Sequence, residues 1–270
     1  MRQLLAPALL ALAACTVAQA PAPRSAPTPV PSELIDLHSA MTVPGLEDRR
    51  FDHATYWRAV EPYLGEPWTV VEAGRSAEGR EIRRLTAGSG PTRVMLWSQM
   101  HGDESTASMA LADLMRFLHE QPEHHLARSI LGGTTLHLIP LLNPDGAERF
   151  QRRNAQGVDV NRDARRLVTP EGRALKEAHD AVEPDFGFNL HDQDPAIRVG
   201  NSNRQAAIAL LAPAYNEARD VNDRRRAAMQ VASLLADAVE PLVGDHVARY
   251  DDTFNARAFG DLMAAWGTST

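Results

Sequence analysis

The chain has 270 residues, of which 44% are hydrophobic, with a formal net charge of −7 and a single cysteine. That length and composition support a substantial core and one α/β domain. The acidic balance argues against nucleic-acid binding, and a lone cysteine excludes an internal disulfide. Arg224-Arg225-Arg226, set among helix formers, reads as a solvated helix face and not as a basic patch.

Met1 to Ala20 reads as an export signal, with Arg2 as a positive n-region and Leu4 to Ala14 as an apolar stretch too short to span a bilayer. Leu12-Ala13-Ala14-Cys15 resembles a bacterial lipobox, which would put a lipid on Cys15, whereas Ala18-Gln19-Ala20 offers an ordinary signal-peptidase site. The expected location is therefore periplasmic or outer-membrane-anchored, with secretion as the alternative, and the lipid is the one expected contact with a membrane. Pro21 to Pro31 is Pro/Ala/Ser-rich and reads as a tether, followed by an irregular lead-in from Ser32 to Arg50. The folded domain is expected over 51–270.

Within it, Tyr56, Trp57, Val60 and Leu64 suit a short amphipathic helix over Thr55 to Leu64. Val70-Val71 and Ile82 to Leu85 flank the turn-rich Gly74 to Arg80 and predict a β-hairpin. Arg93 to Trp97 is a buried strand, and Thr106 to His119 a helix carrying Met109, Leu111, Leu114, Met115 and Leu118 at helical spacing. Thr134 to Leu142 is a further strand, ended by the turn-forming Asn143-Pro144-Asp145-Gly146. A polar stretch from Arg149 to Arg166 precedes a helix over Pro170 to Ala181, and Asp185 to Asn189 leads into His191. Ala206 to Leu211 and Val247 to Tyr250 are strand candidates, and Glu217 to Val239 and Arg257 to Trp266 are helices. Strands alternating with helices indicate a sheet covered on both faces.

The segment Ser98 to Ser105 sits at a strand-to-helix junction and carries His101 and Glu104 three residues apart. A tight turn there can aim an imidazole and a carboxylate at one point, as hydrolytic zinc sites require. Alone the spacing is weak, since exposed loop polars would produce it equally well.

Three ordered pieces together resemble the zinc carboxypeptidase family that includes pancreatic carboxypeptidase A. They are His101-Gly102-Asp103-Glu104, the stretch NPDGAERFQRRNAQGVDVNRD from Asn143 to Asp163, and FNLHDQD from Phe188 to Asp194. The resemblance implies a three-layer α/β/α fold around a mixed, largely parallel twisted sheet, with a single zinc ion held by His101, Glu104 and His191. Two imidazoles and one carboxylate leave zinc Lewis-acidic toward water. It further implies Arg152 beside the scissile carbonyl, where a fixed cation stabilises a developing oxyanion. Asn161 and Arg162 correspond to the pair that grips a substrate's free C-terminal carboxylate, which a guanidinium fork bonds bidentately. Tyr250 corresponds to the family's mobile active-site tyrosine.

The family's general base is a glutamate on a strand beyond the third ligand. Trp266 to Thr270 resembles the approach to that strand, so the C-terminal part of the fold is expected to be missing and the base to lie beyond Thr270. Asp251 and Asp252 come too early for it, and Asp261 falls in a helix. The implied activity is zinc-dependent removal of C-terminal residues. Alternatives are a muropeptide hydrolase of the same fold and a non-catalytic zinc- or peptide-binding lipoprotein.

Overall fold

Five strands build the main sheet: β1 (Thr69–Arg75), β2 (Glu81–Ala87), β3 (Thr92–Ser98), β4 (Thr134–Ile139) and β5 (Phe186–Leu190), in the order β1-β2-β4-β3-β5. The structure is a computed structural model and describes residues 32–270. The export signal, Cys15 and the Pro-rich tether lie outside the described residues. β1 and β2 form the expected hairpin, and β2 also pairs antiparallel with β4. β4 and β5 flank β3 in parallel. The sheet is mixed, as expected, with two ladders of each sense instead of a parallel majority. The reason is connection length: the tight hairpin turn enforces antiparallel pairing, and the helical crossovers after β3 and β4 allow parallel pairing.

Both faces are covered. α1 (Ser32–Met41), α2 (His53–Val60), α3 (Thr106–Glu120) and α4 (His125–Gly133) lie on one side, and α6 (Pro170–Val182) and α8 (Phe259–Ala265) on the other. The period-2 alternation of β3 divides it between the layers. Val94 and Leu96 pack with Tyr56, Leu111, Met115 and Leu118, whereas Met95 and Trp97 pack with Leu175, Phe259 and Met263. The helices start where their caps place them: Asp52 Oδ1 accepts from the Thr55 amide at 2.7 Å, and Thr169 Oγ1 from the Gly172 amide at 3.0 Å.

Several elements depart from the sequence reading. The lead-in forms α1, and Val43 and Leu46 beyond it are buried, so the core starts before residue 51. α4 had no counterpart in the sequence reading. Asn143 to Gly146 does not merely turn but opens α5 (Pro144–Arg149), with Asn143 Oδ1 accepting from the Gly146 amide and proline at the first helical position. An Asn-Pro pair suits either role, because an Asx oxygen and a fixed φ serve a turn and a helix start alike. β6 (Ile208–Leu210) and β7 (Val247–Arg249) leave the main sheet and pair in parallel with each other, connected by α7 (Asp223–Val243). By length and composition α7 could cross a membrane, but Arg225, buried against Asp252, ties its first turn to the small sheet.

Candidate metal centre

The register of β3 on β5 ends at Ser98 opposite Leu190. Chain leaving these two parallel neighbours therefore emerges at one edge of the sheet, the carboxyl edge where open α/β sheets bind ligands. His101 and Glu104 follow β3, and His191 follows β5 directly. The loop after β4 joins them, because the Leu142 amide donates to Ser98 O and the Asn143 amide to Gln99 O, each at 3.1 Å.

Local geometry then shapes the first loop. Gln99 adopts a left-handed φ of 51° and reaches forward, its Nε2 donating to Gly102 O at 3.0 Å. A Cβ on Gly102 would lie 2.0 Å from the Gly146 carbonyl carbon, so the loop can rest on the start of α5 only with glycine there. The Glu104 amide donates back to His101 O at 3.0 Å and closes the turn.

The three side chains converge. His101 Nδ1 lies 2.8 Å from Glu104 Oε1, His191 Nδ1 lies 2.6 Å from Glu104 Oε2, and the two imidazole centroids are 4.9 Å apart. His101 is 2% exposed, whereas His191 opens to solvent. On its far side His101 Nε2 lies 3.0 Å from Asp159 Oδ1. Carboxylates face both ring nitrogens, but Arg152 Nη1, which can only donate, stands 3.1 Å from Nδ1, so the lone pair belongs on Nδ1 and the ring proton on Nε2, toward Asp159. Nδ1 and Oε1 are then two acceptors facing each other at 2.8 Å, an arrangement that a cation between them satisfies. Two histidines and a carboxylate suit Zn²⁺ in particular, so these residues fit the metal that the motif implies.

The electrostatics favour positive charge at this point. Burial pushes the Glu104 carboxyl up, but the imidazoles of His101 and His191 against it outweigh that and hold it at about 2. Burial works the same way on Asp159, and His101 and Arg152 overcome it and keep it well below the usual carboxylate range. Burial lowers His101, and the bonds to Asp159 and Glu104 more than reverse that.

Of the other residues singled out in the sequence, Arg152 reaches the triad. Its Nη1 is 3.3 Å from Glu104 Oε1 and 3.1 Å from His101 Nδ1, and its Nη2 pairs with Asp159 Oδ2 at 2.9 Å. Asn161 also reaches it: Oδ1 accepts from the Phe259 amide at 3.0 Å, which turns Nδ2 to within 3.2 Å of His191 Nε2. Arg162 is exposed beside it, its Nη1 on Asn161 O at 2.8 Å. Tyr250 is not brought to the triad. It lies past β7 and lines a groove of about 550 Å³ with Leu210, Arg225, Met229 and Val247, which no triad residue lines. The pairing of β6 with β7 outside the main sheet carries it there. The three aspartates weighed as bases are engaged elsewhere: Asp251 with Thr253, Asp252 with Arg225, and Asp261 with the Asn255 amide.

Asp159 is the functional residue that sequence reasoning passed over. Its signal was its place two residues before Asn161 and seven after Arg152, an arginine that needs a carboxylate partner.

Comparison with known proteins matches this geometry to a family. The zinc carboxypeptidase family profile matches residues 54–208. "Carboxypeptidase 2" of Trichophyton rubrum is 28% identical over 200 residues, covering 66% of this chain and 37% of that protein. "Carboxypeptidase D" of Mus musculus is 33% identical over 132 residues, covering 34% and 10%. The chain thus spans well under half the length of these relatives. Among solved structures, the carboxypeptidase A of Helicoverpa armigera shares the fold with a TM-score of 0.62 at 16% identity, over 87% of this chain and 69% of that one. A metallo-carboxypeptidase of Pseudomonas aeruginosa, solved with (2-guanidinoethylmercapto)succinic acid, gives 0.59 at 21% identity, over 80% and 56%. With more than half of its residues matched by the family profile and its sheet, loops and His/Glu/His cluster arranged on the corresponding fold, the chain belongs to the zinc carboxypeptidase family.

Proposed function

We propose that this chain carries the zinc site and the substrate-carboxylate grip of a metallocarboxypeptidase that removes C-terminal residues from peptides. The observation that carries the reading is the His101–Glu104–His191 cluster with Asp159 behind His101 and Arg152 alongside. These three residues hold the metal, one ion per chain, which when bound supplies Lewis acidity toward water and a carbonyl oxygen. Arg152 contributes a fixed cation at the same place, poised to stabilise negative charge on a carbonyl oxygen in a partly dry site. Asn161 reaches His191 and Arg162 stands beside Asn161, so an amide and a guanidinium are at hand to grip a terminal carboxylate. Tyr250 has no part in this reading as the structure stands.

The reading assigns the general base to none of Asp251, Asp252 and Asp261. Ser269 pairs in parallel with Phe186, and residues carried on in that register would run along β5 toward His191. A carboxylate on such a strand would arrive beside the triad, and a positioned base contributes about 10²–10⁴-fold to rate. Export belongs to the same proposal. It rests on residues 1–20 and predicts a diacylglyceryl-modified Cys15 in membrane-extracted protein, whereas an unmodified N-terminus at Pro21 would indicate ordinary signal cleavage.

The test uses binding, which does not depend on the base. Zinc-loaded chain is titrated calorimetrically with a peptide bearing a free C-terminus and with its C-terminal amide. The free acid should bind more tightly, and Arg162→Ala should cost about 10–100-fold for it, the worth of a charge-assisted hydrogen bond, and little for the amide. Equal affinities for acid and amide in the unsubstituted chain would overturn the carboxypeptidase reading.

A further inference from the structure

Arg49 lies between α1 and α2, outside residues 54–208 of the family match, yet it touches both loops that deliver the triad. Its Nη2 donates to Asp103 O at 3.0 Å and to Asp192 Oδ2 at 2.5 Å. Asp103 immediately precedes Glu104, and Asp192 immediately follows His191. The other oxygen of Asp192 accepts from the Thr106 amide, the first N–H of α3, at 3.1 Å. Ser105, at the N-cap of α3, makes no side-chain cap, and its hydroxyl donates to Arg49 O. The Arg49 guanidinium also stands 5.7 Å from the ring centroid of Phe150, the left-handed residue that ends α5 two positions before Arg152.

We propose that Arg49 is a positioning residue for the metal centre, a clasp from the lead-in that sets the spacing between the His101–Glu104 loop and the His191 loop. The inference rests on the zinc-site reading above. Its physical basis is where the ladder stops. β3 and β5 are hydrogen-bonded to each other only as far as Ser98 and Leu190, so the residues that carry the ligands have no sheet register of their own. Ligand geometry must nevertheless hold to about 0.5 Å. One nitrogen shared between a backbone oxygen of the first loop and a carboxylate of the second supplies that constraint, and the Thr106 amide on the same carboxylate anchors it to α3. Arg49 is half exposed, and an exposed ion pair adds little to global stability. Its loss should therefore appear at the two loops and not in the melting temperature.

The experiment compares the full chain with Arg49→Ala, Arg49→Lys, Asp192→Asn, the Arg49→Ala/Asp192→Asn pair and a His191→Ala control. The Asn variant keeps an oxygen for the Thr106 amide while turning an NH₂ toward Arg49. Zinc affinity is read by competition with a chromophoric chelator, and amide hydrogen exchange is followed in the metal-free chain. Arg49→Ala should weaken zinc about 10–100-fold, as loss of an outer-shell partner does, at an unchanged metal-free melting temperature. Arg49→Lys should recover part of this, and the double variant should be no weaker than Arg49→Ala alone, because both single changes break one contact. Exchange at Asp103 to Thr106 and at Asp192 should accelerate together in Arg49→Ala. Unchanged zinc affinity, or single losses that multiply in the double variant, overturns the clasp. If His191→Ala binds zinc as well as the parent chain, the zinc-site reading fails instead. Exchange then decides the clasp by itself: joint acceleration of the two loops upholds it, and unchanged exchange ends it.

Discussion

His101, Glu104 and His191 have a counterpart of the same residue types elsewhere in the molecule. Glu33 Oε1 lies 3.2 Å from His124 Nε2 and 2.8 Å from His125 Nε2, linking α1 to the start of α4. In both clusters the ligand-capable atoms lie within 4.8 Å of one another. Their surroundings differ. The first sits at the carboxyl edge of parallel strands, with Asp159 behind one imidazole and Arg152 beside it. The second is largely open to solvent, at a helix N-terminus whose dipole opposes a cation. The contrast teaches that convergent donors do not make a metal centre; their place in the sheet, their burial and the charged groups around them do.

Zinc content breaks or upholds this contrast most directly. After dialysis, the parent chain should hold one zinc by elemental analysis. His191→Ala should hold none and His125→Ala should still hold one. Loss of zinc from the His125 variant alone would reverse the assignment of the two clusters.

His137 sharpens the comparison from the other side, being a buried histidine with no carboxylate against it. Burial first, then the charges of Arg84 and Arg93, push it down to about 4. Its folded value lies below its unfolded value, so the unfolded chain binds the extra proton. Its contribution is therefore fully present above about pH 6.5 and is lost as pH falls toward 4, by on the order of 3 kcal/mol. Urea denaturation across that range should show the slope, and His137→Gln should flatten it. An equal slope in the variant would mean that other groups govern the acid limb.

The next effect in size concerns the carboxylate behind the first cluster. Asp159→Asn keeps the shape but removes the charge that faces the His101 Nε2 proton, and should weaken zinc about 10–100-fold. An affinity within twofold of the parent would show that Glu104 and Arg152 orient the ring unaided. The smallest effect is expected at the second cluster, where His125→Ala removes an exposed ion pair and should shift the melting temperature by less than about 2 °C.

Much of the site was legible in the sequence because its cues are local. An apolar run before His101, a helical repeat after Glu104 and a strand ending at His191 place the three residues at element ends whatever the rest of the chain does. The Arg152 and Asn161-Arg162 spacings were likewise carried by one continuous stretch. Asp159 was within reach of the same reading and was missed because its role is toward another side chain and not toward a ligand.

What the sequence alone determined was therefore the strands that end at the cluster, the helix that follows Glu104 and which side chains stand at their ends, since periodicity and capping act over a few residues. Tertiary structure alone decided which strands are neighbours. It inserted β4 between β2 and β3, divided the sheet evenly between parallel and antiparallel ladders, and set β6 and β7 apart, taking Tyr250 into a groove away from the triad. It also folded the lead-in into the core and laid Arg49 across the two ligand loops. Alternation of apolar residues reports that a face is buried but not what covers it. Partners distant in the chain are chosen only when register and packing compete in three dimensions.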